Sequence, residues 1–345
     1  MILRTFILLT LIPYAYADTL TLLNWEDYLS ENTISAWEAK SGHKIHQIYF
    51  DNDEDRDSIL INHTDQVIDL VIVDEIATTG FGKNGLLLPV KDYQTKPILA
   101  EIDPEIQSSC GQYGLPYLRG TFGIAYRSDK IADKPKSWAF ILQPNDEIKN
   151  HIGLVDDYID MLAPPLFMLG ESINSENPKV LKEAFFMLKN TVPSVLTFEY
   201  GISYIEADSK RDQLYVTLAY SGDQYALNTK AGKEIWEYTT LEEGTIAWVD
   251  CLTVMADSPR KEIVYDFINF IYQPKIAAEN SESIYVASPL ASARALQSSA
   301  FLSDASVYPD EKIMNKAQHY KPLPSKNIIL RNRITSSIIK SHEAK

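Results

Sequence analysis

Residues 67–73 read Val-Ile-Asp-Leu-Val-Ile-Val, a run of apolar side chains interrupted only by Asp69. A half-exposed strand would alternate apolar and polar residues, whereas this one is apolar on both faces. Such strands are typical of a parallel sheet that helices cover on both sides. The stretch therefore predicts an α/β fold.

The segments around this strand alternate between strand and helix patterns. Leu20–Leu23 and Lys44–Phe50 predict strands, and Ile34 with Trp37 begins an amphipathic helix that Gly42 can end. Further strands are predicted at residues 121–126, 151–155, 215–220 and 246–254, and helices around 180–188 and 263–271. Repeated strand-helix-strand units indicate parallel sheets.

A glycine motif follows the opening strand. Gly80-Phe-Gly82-Lys-Asn-Gly85 matches the dinucleotide pattern G-x-G-x-x-G, but Asp74–Thr79 separates it from the strand and no helix pattern follows. We interpret it as a turn. No linker rich in glycine, serine or proline divides the chain, so two α/β lobes would be joined by strand-like segments that cross between them.

Composition restricts the class of partner. The chain has 345 residues, 45% hydrophobic, with 47 acidic and 32 basic side chains and a net charge of −15. The length favours two domains, and the apolar content argues against disorder. The charge disfavours nucleic acid and anionic membrane surfaces and favours a cation, although acidic residues also serve solubility alone.

The first 17 residues have the layout of a secretory signal. Arg4 precedes the apolar run Phe6–Ile12, and Ala15-Tyr-Ala17 precedes Asp18. We expect a periplasmic protein, without direct membrane insertion, that begins at Asp18. In an oxidising compartment, Cys110 and Cys251 either form one disulfide or remain buried thiols, and the sequence leaves both open.

Motifs for catalysis and metal binding are missing from the sequence. It has no H-E-x-x-H, C-x-x-C, G-x-S-x-G or Walker A pattern. We predict no enzyme activity, no cofactor and no metal site. The remote alternative is an exported hydrolase that uses Asp157 and Asp160 as paired acids, although both would face the same side of a substrate.

Aromatic residues recur beside carboxylates where predicted strands end. The groups are Trp25-Glu-Asp27-Tyr28, Asp156-Asp157 with Asp160, Tyr220-Ser-Gly-Asp223, Trp248-Val-Asp250 and Tyr285. Carboxylates can replace water around an ammonium group, and aromatic faces can cover methylenes and attract the charge. The pattern predicts a site for an organic cation. Taken singly, Asp157 could be a helix cap, and Tyr220 and Trp248 could be core residues.

The order of these motifs resembles the periplasmic spermidine/putrescine-binding proteins. The resemblance spans about residues 20–318. It rests on Leu23-Asn-Trp25-x-x-Tyr28, Asp69-Leu-Val71, Leu115-Pro-Tyr117-x-x-Gly120, Asp156-Asp157-x-x-Asp160, Trp248-x-Asp250, Ile284-Tyr285 and Tyr308-Pro-Asp310. It implies a two-lobed periplasmic-binding fold of the type II kind, with a ligand cleft between the lobes and no catalysis. We assign residues 1–17 to the signal peptide, 18–121 plus 252–300 to lobe 1, and 122–251 plus 301–345 to lobe 2.

The resemblance also assigns ligand contacts. Trp25 and Tyr28 form an aromatic wall, Asp157 and Asp160 take a terminal amine, Trp248 and Asp250 hold a central amine, and Tyr220 and Tyr285 add aromatic contacts. The family's C-terminal glutamine falls on Gln318, or on His319 if the register slips. Asp27 or Asp74 would hold the other end. Arg119 replaces an aromatic residue and must point away from the ligand or pair with an acid.

This distribution of carboxylates suits a triamine, norspermidine or spermidine, better than putrescine. Members of the family pass the amine to an ABC permease or report it to an inner-membrane signalling receptor that controls cyclic di-GMP and biofilm formation. We favour the sensor over the substrate-binding component of an ABC transporter and expect a monomer.

Overall fold

The computed structural model describes residues 17–50, 53–62, 67–92, 96–207 and 211–344. The predicted signal peptide lies outside these residues except for Ala17. The described strands are β1 (Thr19–Asn24), β2 (Lys44–Tyr49), β3 (Leu70–Asp74), β4 (Leu115–Arg127), β5 (Ile152–Gly153), β6 (Val195–Thr197), β7 (Val216–Tyr220), β8 (Trp236–Thr239) and β9 (Ala247–Val254).

Helices connect and cover these strands. The described α-helices are α1 (Glu31–Ser41), α2 (Asp53–Ile61), α3 (Glu75–Lys83), α4 (Lys96–Leu99), α5 (Pro104–Ser109), α6 (Ala139–Leu142), α7 (Ala163–Met168), α8 (Pro178–Thr191), α9 (Gly201–Ala207), α10 (Asp223–Ala231), α11 (Lys261–Ile271), α12 (Pro274–Ile284), α13 (Ala291–Arg294), α14 (Ser299–Leu302), α15 (Glu311–Met314) and α16 (Ser325–Glu343). Short 3₁₀ turns lie at Val90–Asp92, Val192–Ser194 and Arg211–Gln213.

The first helix begins and ends where the sequence indicates. The Ser30 side chain accepts a hydrogen bond from the Thr33 amide, and Gly42 adopts a left-handed φ of 75° after the last turn. Glycine adopts this conformation without the steric cost that a Cβ would bring. The predicted end of α1 at Gly42 is therefore confirmed.

The strands form one mixed sheet in the order β2-β1-β3-β9-β4-β7-β5-β6, with β8 paired to β4. β1 runs parallel to β2 and β3, but β9 runs antiparallel to β3, and β4 runs antiparallel to β7, β8 and β9. The expectation of purely parallel sheets is therefore wrong, because a returning strand enters the middle of the sheet. This arrangement places Asp250 opposite Asp74.

The long strand β4 joins two hydrophobic cores. Its first half, residues 115–121, pairs with β9, and its second half, residues 122–126, pairs with β7. One core includes Leu70, Leu115 and Phe267, and the other includes Phe122 and Leu181. The protein is therefore a two-lobed α/β protein whose lobes share strands. The residue boundaries assigned to the lobes stay a prediction.

The glycine motif lies mostly in a helix. α3 begins directly after β3, with Asp74 as its N-cap, and includes Gly80 and Gly82. A Cβ on Gly82 would come within 2.1 Å of the Tyr113 ring, so the helix packs too closely there for a side chain. Interpreting this motif as a turn was wrong for these two glycines, although Gly85 lies in the turn that follows.

Cys110 and Cys251 form a disulfide. Cys110 ends α5, and Cys251 lies on β9 directly after Asp250, so the bond ties a surface helix to the central strand. Of the two states that the sequence left open, the structure has the disulfide. Across the described residues, no helix is both long and apolar enough to cross a membrane.

Candidate ligand-binding site

The centre of the candidate site is the strand pair β3 and β9. Asp250 is 9% exposed, and the Tyr28 hydroxyl lies beside its carboxylate. Burial, followed by the nearby charge of Asp74, raises the pKa of Asp250 to about 7, although Tyr28 and Arg56 oppose this. A buried carboxylate with a raised pKa is favourable for binding a cation, because the cation stabilises its charge.

Trp25 and Tyr28 form an aromatic wall beside Asp250. The Trp25 ring lies 4.4 Å from the Phe50 ring and 6.5 Å from the Tyr28 ring, measured between centroids. Asp27 between them is exposed, with a left-handed φ of 62°. Asp27 lies near the exposed Tyr49. Burial raises the pKa of Tyr49, and the charges of Glu31, Glu26 and Asp27 raise it further. The structure therefore gathers the two aromatics but places Asp27 at the rim.

Asp74 is engaged by other residues of the protein. One carboxylate oxygen accepts hydrogen bonds from the Ile76 and Ala77 amides at 2.8 Å, which caps α3. The other oxygen accepts a hydrogen bond from the Arg56 guanidinium at 2.9 Å. Asp74 therefore lies at the site, but an internal cation already neutralises it.

Asp157 and Asp160 lie together after β5. One Asp157 oxygen accepts hydrogen bonds from the Ile159 and Asp160 amides at 2.7 Å, which closes a turn. The helix that follows, α7, has Leu162 as its N-cap, so the interpretation of Asp157 as a helix cap is wrong. Asp160 is 5% exposed and accepts hydrogen bonds from the Tyr220 and Tyr320 hydroxyls, the latter at 2.5 Å. Burial, followed by the charge of Asp157, raises the pKa of Asp160 to about 7.

Tyr220 and Trp248 connect the two acidic groups. Their rings meet edge to face with centroids 6.1 Å apart, and the Trp248 indole donates a hydrogen bond to the Thr121 carbonyl at 3.2 Å. A Cβ on Gly120 would lie 2.4 Å from the Trp248 ring, so this glycine allows the indole to lie against β4. Both aromatics are partly core residues and also border the site.

Asp223 was not among the predicted ligand contacts. It accepts a hydrogen bond from the Tyr220 amide at 2.7 Å and another from the Tyr200 hydroxyl. Burial raises its pKa to about 7. Burial, then Asp250 and then Asp223 raise the pKa of Tyr28, which places the three residues in one cluster. The sequence signal was present in Tyr220-Ser-Gly-Asp223.

The C-terminal segment brings Tyr320 to Asp160. The Gln318 side chain accepts a hydrogen bond from the Ile173 amide at 3.0 Å and donates to the Glu171 carbonyl at 3.4 Å, so it supports the chain path. Tyr320, two residues further, reaches Asp160, and its amide donates to Glu75 at 3.0 Å. The assignment of Gln318 or His319 as a ligand contact stays a prediction.

Glu75 adds another buried acid beside Asp74. It is 7% exposed, and burial followed by the charge of Asp74 raises its pKa to about 8. Glu75 was not among the predicted ligand contacts, although it directly follows Asp74 at the end of β3. Its contact with the Tyr320 amide joins the lobe of β3 to the C-terminal segment.

Tyr285 and Arg119 lie apart from these carboxylates. The Tyr285 ring is 42% exposed and stacks on Tyr225 with centroids 3.8 Å apart, while its carbonyl lies against Gly222. The Tyr285 ring therefore faces Tyr225, and only its backbone approaches the loop before Asp223. Its role as a ligand contact stays a prediction. Burial lowers the pKa of Arg119, and Tyr308 and Arg294 are its next strongest electrostatic neighbours. These neighbours lie outside the carboxylate cluster, which fits the expectation that Arg119 points away from the ligand.

Together these residues form a concentrated anionic cluster. The buried carboxylates are Asp160, Asp223, Asp250 and Glu75, and each has a raised pKa because burial disfavours its charge. Tyrosine hydroxyls and indole rings surround them. An elongated organic cation would supply positive charge to several carboxylates, and the aromatic side chains would cover its apolar parts.

Comparison with known proteins identifies similar chains. Residues 32–307 match the family described as bacterial extracellular solute-binding protein. The chain is 31% identical over 339 residues to the norspermidine sensor of Vibrio cholerae, covering 98% of this chain and 94% of that protein. It is 28% identical over 309 residues to the spermidine/putrescine-binding periplasmic protein of Salmonella typhimurium, covering 87% and 86%.

A solved structure has the same fold. The spermidine/putrescine ABC transporter substrate-binding protein of Streptococcus pneumoniae superimposes with a TM-score of 0.80 at 23% identity. The match covers 94% of this chain and 100% of that one. At this identity the likeness concerns the fold, and it agrees with the two-lobed architecture described above.

Proposed function

Because the chain belongs to the bacterial extracellular solute-binding proteins, we propose that it binds a linear polyamine between its two lobes. The protein acts in the periplasm as a monomer and presents its closed, loaded form to an inner-membrane partner. Closure of two lobes on a ligand changes the surface that such a partner contacts. Binding, without chemical conversion of the amine, is its role.

The convergence of Asp160, Asp223 and Asp250 carries this proposal. Burial raises the pKa of each of the three carboxyl groups to about 7, and a tyrosine hydroxyl lies beside each of them. A charge-assisted hydrogen bond contributes about 1.5 to 3 kcal/mol. Three or four such bonds, with cation–π contacts, reach the roughly 8 kcal/mol of micromolar affinity.

The preferred ligand is a triamine, norspermidine or spermidine. Asp157 with Asp160 takes one terminal amine, Asp250 with Trp248 takes the central amine, and Asp223 with Tyr28 and Tyr200 takes the other end. Asp223 replaces Asp27 and Asp74 in the role first expected of them, because Asp27 lies at the rim and Asp74 is paired with Arg56.

Calorimetry and thermal unfolding with a series of amines test this function. We expect both triamines to raise the unfolding temperature and to bind more tightly than putrescine. Tighter binding of putrescine would contradict the triamine assignment, and no binding of any amine would contradict the function. A turnover assay on the same amines would show unchanged ligand, and a released product would favour the alternative, an exported hydrolase.

The signalling role rests on the Vibrio cholerae relative, whose match spans nearly the full length of both chains. We propose that the partner is a membrane receptor controlling cyclic di-GMP and biofilm formation. The second candidate, delivery to an ABC permease, draws on the Salmonella typhimurium relative. Deleting the gene separates them: altered biofilm signalling with normal uptake supports the sensor, and lost uptake with unchanged signalling supports transport.

A further inference from the structure

Arg56 is a buried cation in this acidic region. It is 1% exposed, and its guanidinium bonds to three carboxylates: Asp53 at 2.7 Å, Asp57 at 2.8 Å and Asp74 at 2.9 Å. The same three acids, opposed by burial, hold its pKa above the ordinary value. Arg56 is therefore charged at every physiological pH and is neutralised locally by more than one acid.

Two aromatic rings complete its surroundings. The guanidinium carbon lies 5.9 Å from the centroid of Phe50 and 5.7 Å from that of Phe81. The Phe50 ring is also the surface against which Trp25 packs, at 4.4 Å. Carboxylates and aromatic faces are the groups that recognise an organic cation, so Arg56 occupies an environment suited to an ammonium group.

This environment adjoins the proposed ligand position. Asp74, which Arg56 binds, lies opposite Asp250 in the pairing of β3 and β9. Burial and the charge of Asp74 raise the pKa of Asp250, and the charge of Arg56 lowers it. Removing the guanidinium charge would therefore make the cleft more negative where a central amine would lie.

We propose that Arg56 is a specificity-determining residue, a cation built into the protein that occupies Asp53, Asp57 and Asp74 and limits how many ammonium groups the cleft accepts. This inference rests on the proposed polyamine-binding function. With these three acids engaged and Glu75 bonded to the Tyr320 amide, three positions remain for the ligand: Asp157 with Asp160, Asp250, and Asp223. The site then favours three ammonium groups over the four of a linear tetraamine such as spermine.

A similar arginine elsewhere provides a control. Arg127, at the end of β4, is 7% exposed, bonds to Asp129 at 2.7 Å and lies 6.0 Å from the Tyr215 ring. Its hydrogen bonds run to Asp129 and to the backbone of Asp212. It shares the chemistry of Arg56 without contacting the residues of the proposed ligand site.

Calorimetry on Arg56→Gln with putrescine, spermidine and spermine tests the proposal. We expect the affinity for spermine relative to spermidine to rise about tenfold over the wild type, because each added ligand charge gains an unpaired carboxylate. Arg56→Lys, which keeps the charge, and Arg127→Gln, which removes a charge elsewhere, should retain the wild-type ratio. All variants are compared at one salt concentration.

An unchanged ratio in folded Arg56→Gln would overturn the role of Arg56 while leaving polyamine binding intact. A wild type that binds no amine would instead overturn the proposed function and this inference together. If Arg56→Gln does not fold, Asp57→Asn decides, since Asp57 is 42% exposed at its side chain. The Asp57→Asn substitution leaves Arg56 less neutralised. A fall in the affinity for spermine relative to the affinity for putrescine would therefore support the proposal, and an unchanged ratio would refute it.

Discussion

The charge of Asp250 is costly in the unliganded protein and useful once a cation is bound. Burial and Asp74 disfavour its ionised form. Replacing Asp250 by Asn should therefore weaken binding of spermidine and norspermidine at least about tenfold, the loss of one charge-assisted hydrogen bond. The same change should raise the unfolding temperature of the ligand-free protein at pH 8. Calorimetry and thermal unfolding measure the two effects.

Asp212→Asn is the control for this substitution, since the Asp212 side chain is 93% exposed and the change in total charge is identical. It should leave both affinity and unfolding temperature near the wild-type values. Normal triamine binding by Asp250→Asn would mean that Asp250 is not part of the site. Loss of binding accompanied by a lower unfolding temperature would indicate a structural defect instead.

Residue types and their order predicted several of the clustered side chains, among them Trp25, Tyr28, Asp160 and Asp250. The pairing of Asp74 with Arg56 could not be predicted in this way. Its partner Arg56 lies 18 residues away on another element, and their contact depends on how α2 packs against β3. Tyr320 was missed for a similar reason, because its reach to Asp160 depends on the path of the C-terminal segment.

At the scale of elements, the contact between β4 and the Trp248 ring leaves no room for an added side chain. A Cβ on Gly120 would lie 2.3 Å from the Ser221 hydroxyl and 2.4 Å from the indole. Gly120→Ala should therefore displace Trp248 and destabilise the fold by about 1 to 3 kcal/mol, the usual cost of overpacking. Triamine binding should weaken as well. Urea unfolding and calorimetry measure the two changes.

Gly80→Ala is the control for Gly120→Ala, because a Cβ on Gly80 meets nothing within 4 Å. On the helix α3 this substitution should be neutral or stabilising, since alanine favours a helix more than glycine does. Full triamine affinity in Gly120→Ala would show that the indole position is unimportant. Lost affinity in Gly80→Ala would show that any change near the cleft has this effect.

Elements that form one regular pattern were predictable, whereas strand direction was not. The apolar spacing that ends at Gly42 predicted α1 because helix period and cap agree. The position of β9 between β3 and β4 depends on contacts between residues far apart in sequence, such as Val71 with Thr253. A local pattern contains no information on whether a distant strand returns parallel or antiparallel.

For the whole molecule, the shared strands link the site to the two lobes. β4 and β9 run through the sheet between the two cores, and Asp250, Trp248 and the disulfide at Cys251 all lie on β9. A change in the angle between the lobes must therefore act on the strand that holds the central carboxylate. In the proposed closure, this continuous backbone segment would couple ligand binding to the movement of the lobes.

The pH dependence of the protein's stability should reveal the raised pKa values of the buried acids. The pKa values of Asp160, Asp223 and Asp250 lie near 7 in the folded state, above their values in an unfolded chain, so the folded state holds extra protons between about pH 4 and pH 7. Their contribution to stability is complete below about pH 4 and is lost as the pH rises through 7. The ligand-free protein should thus unfold at a lower temperature at pH 8 than at pH 6.

Ligand binding should have the opposite pH dependence, because an ammonium group needs ionised carboxylates. Between pH 8 and pH 6 we expect the affinity for spermidine to fall more than tenfold, with protons released on binding near pH 6.5, since the bound cation lowers the pKa of each carboxyl. Calorimetry in buffers of different ionisation enthalpy counts these protons. A constant affinity with no proton release would show that the carboxylates are already ionised, and the burial argument for Asp160, Asp223 and Asp250 would then fail.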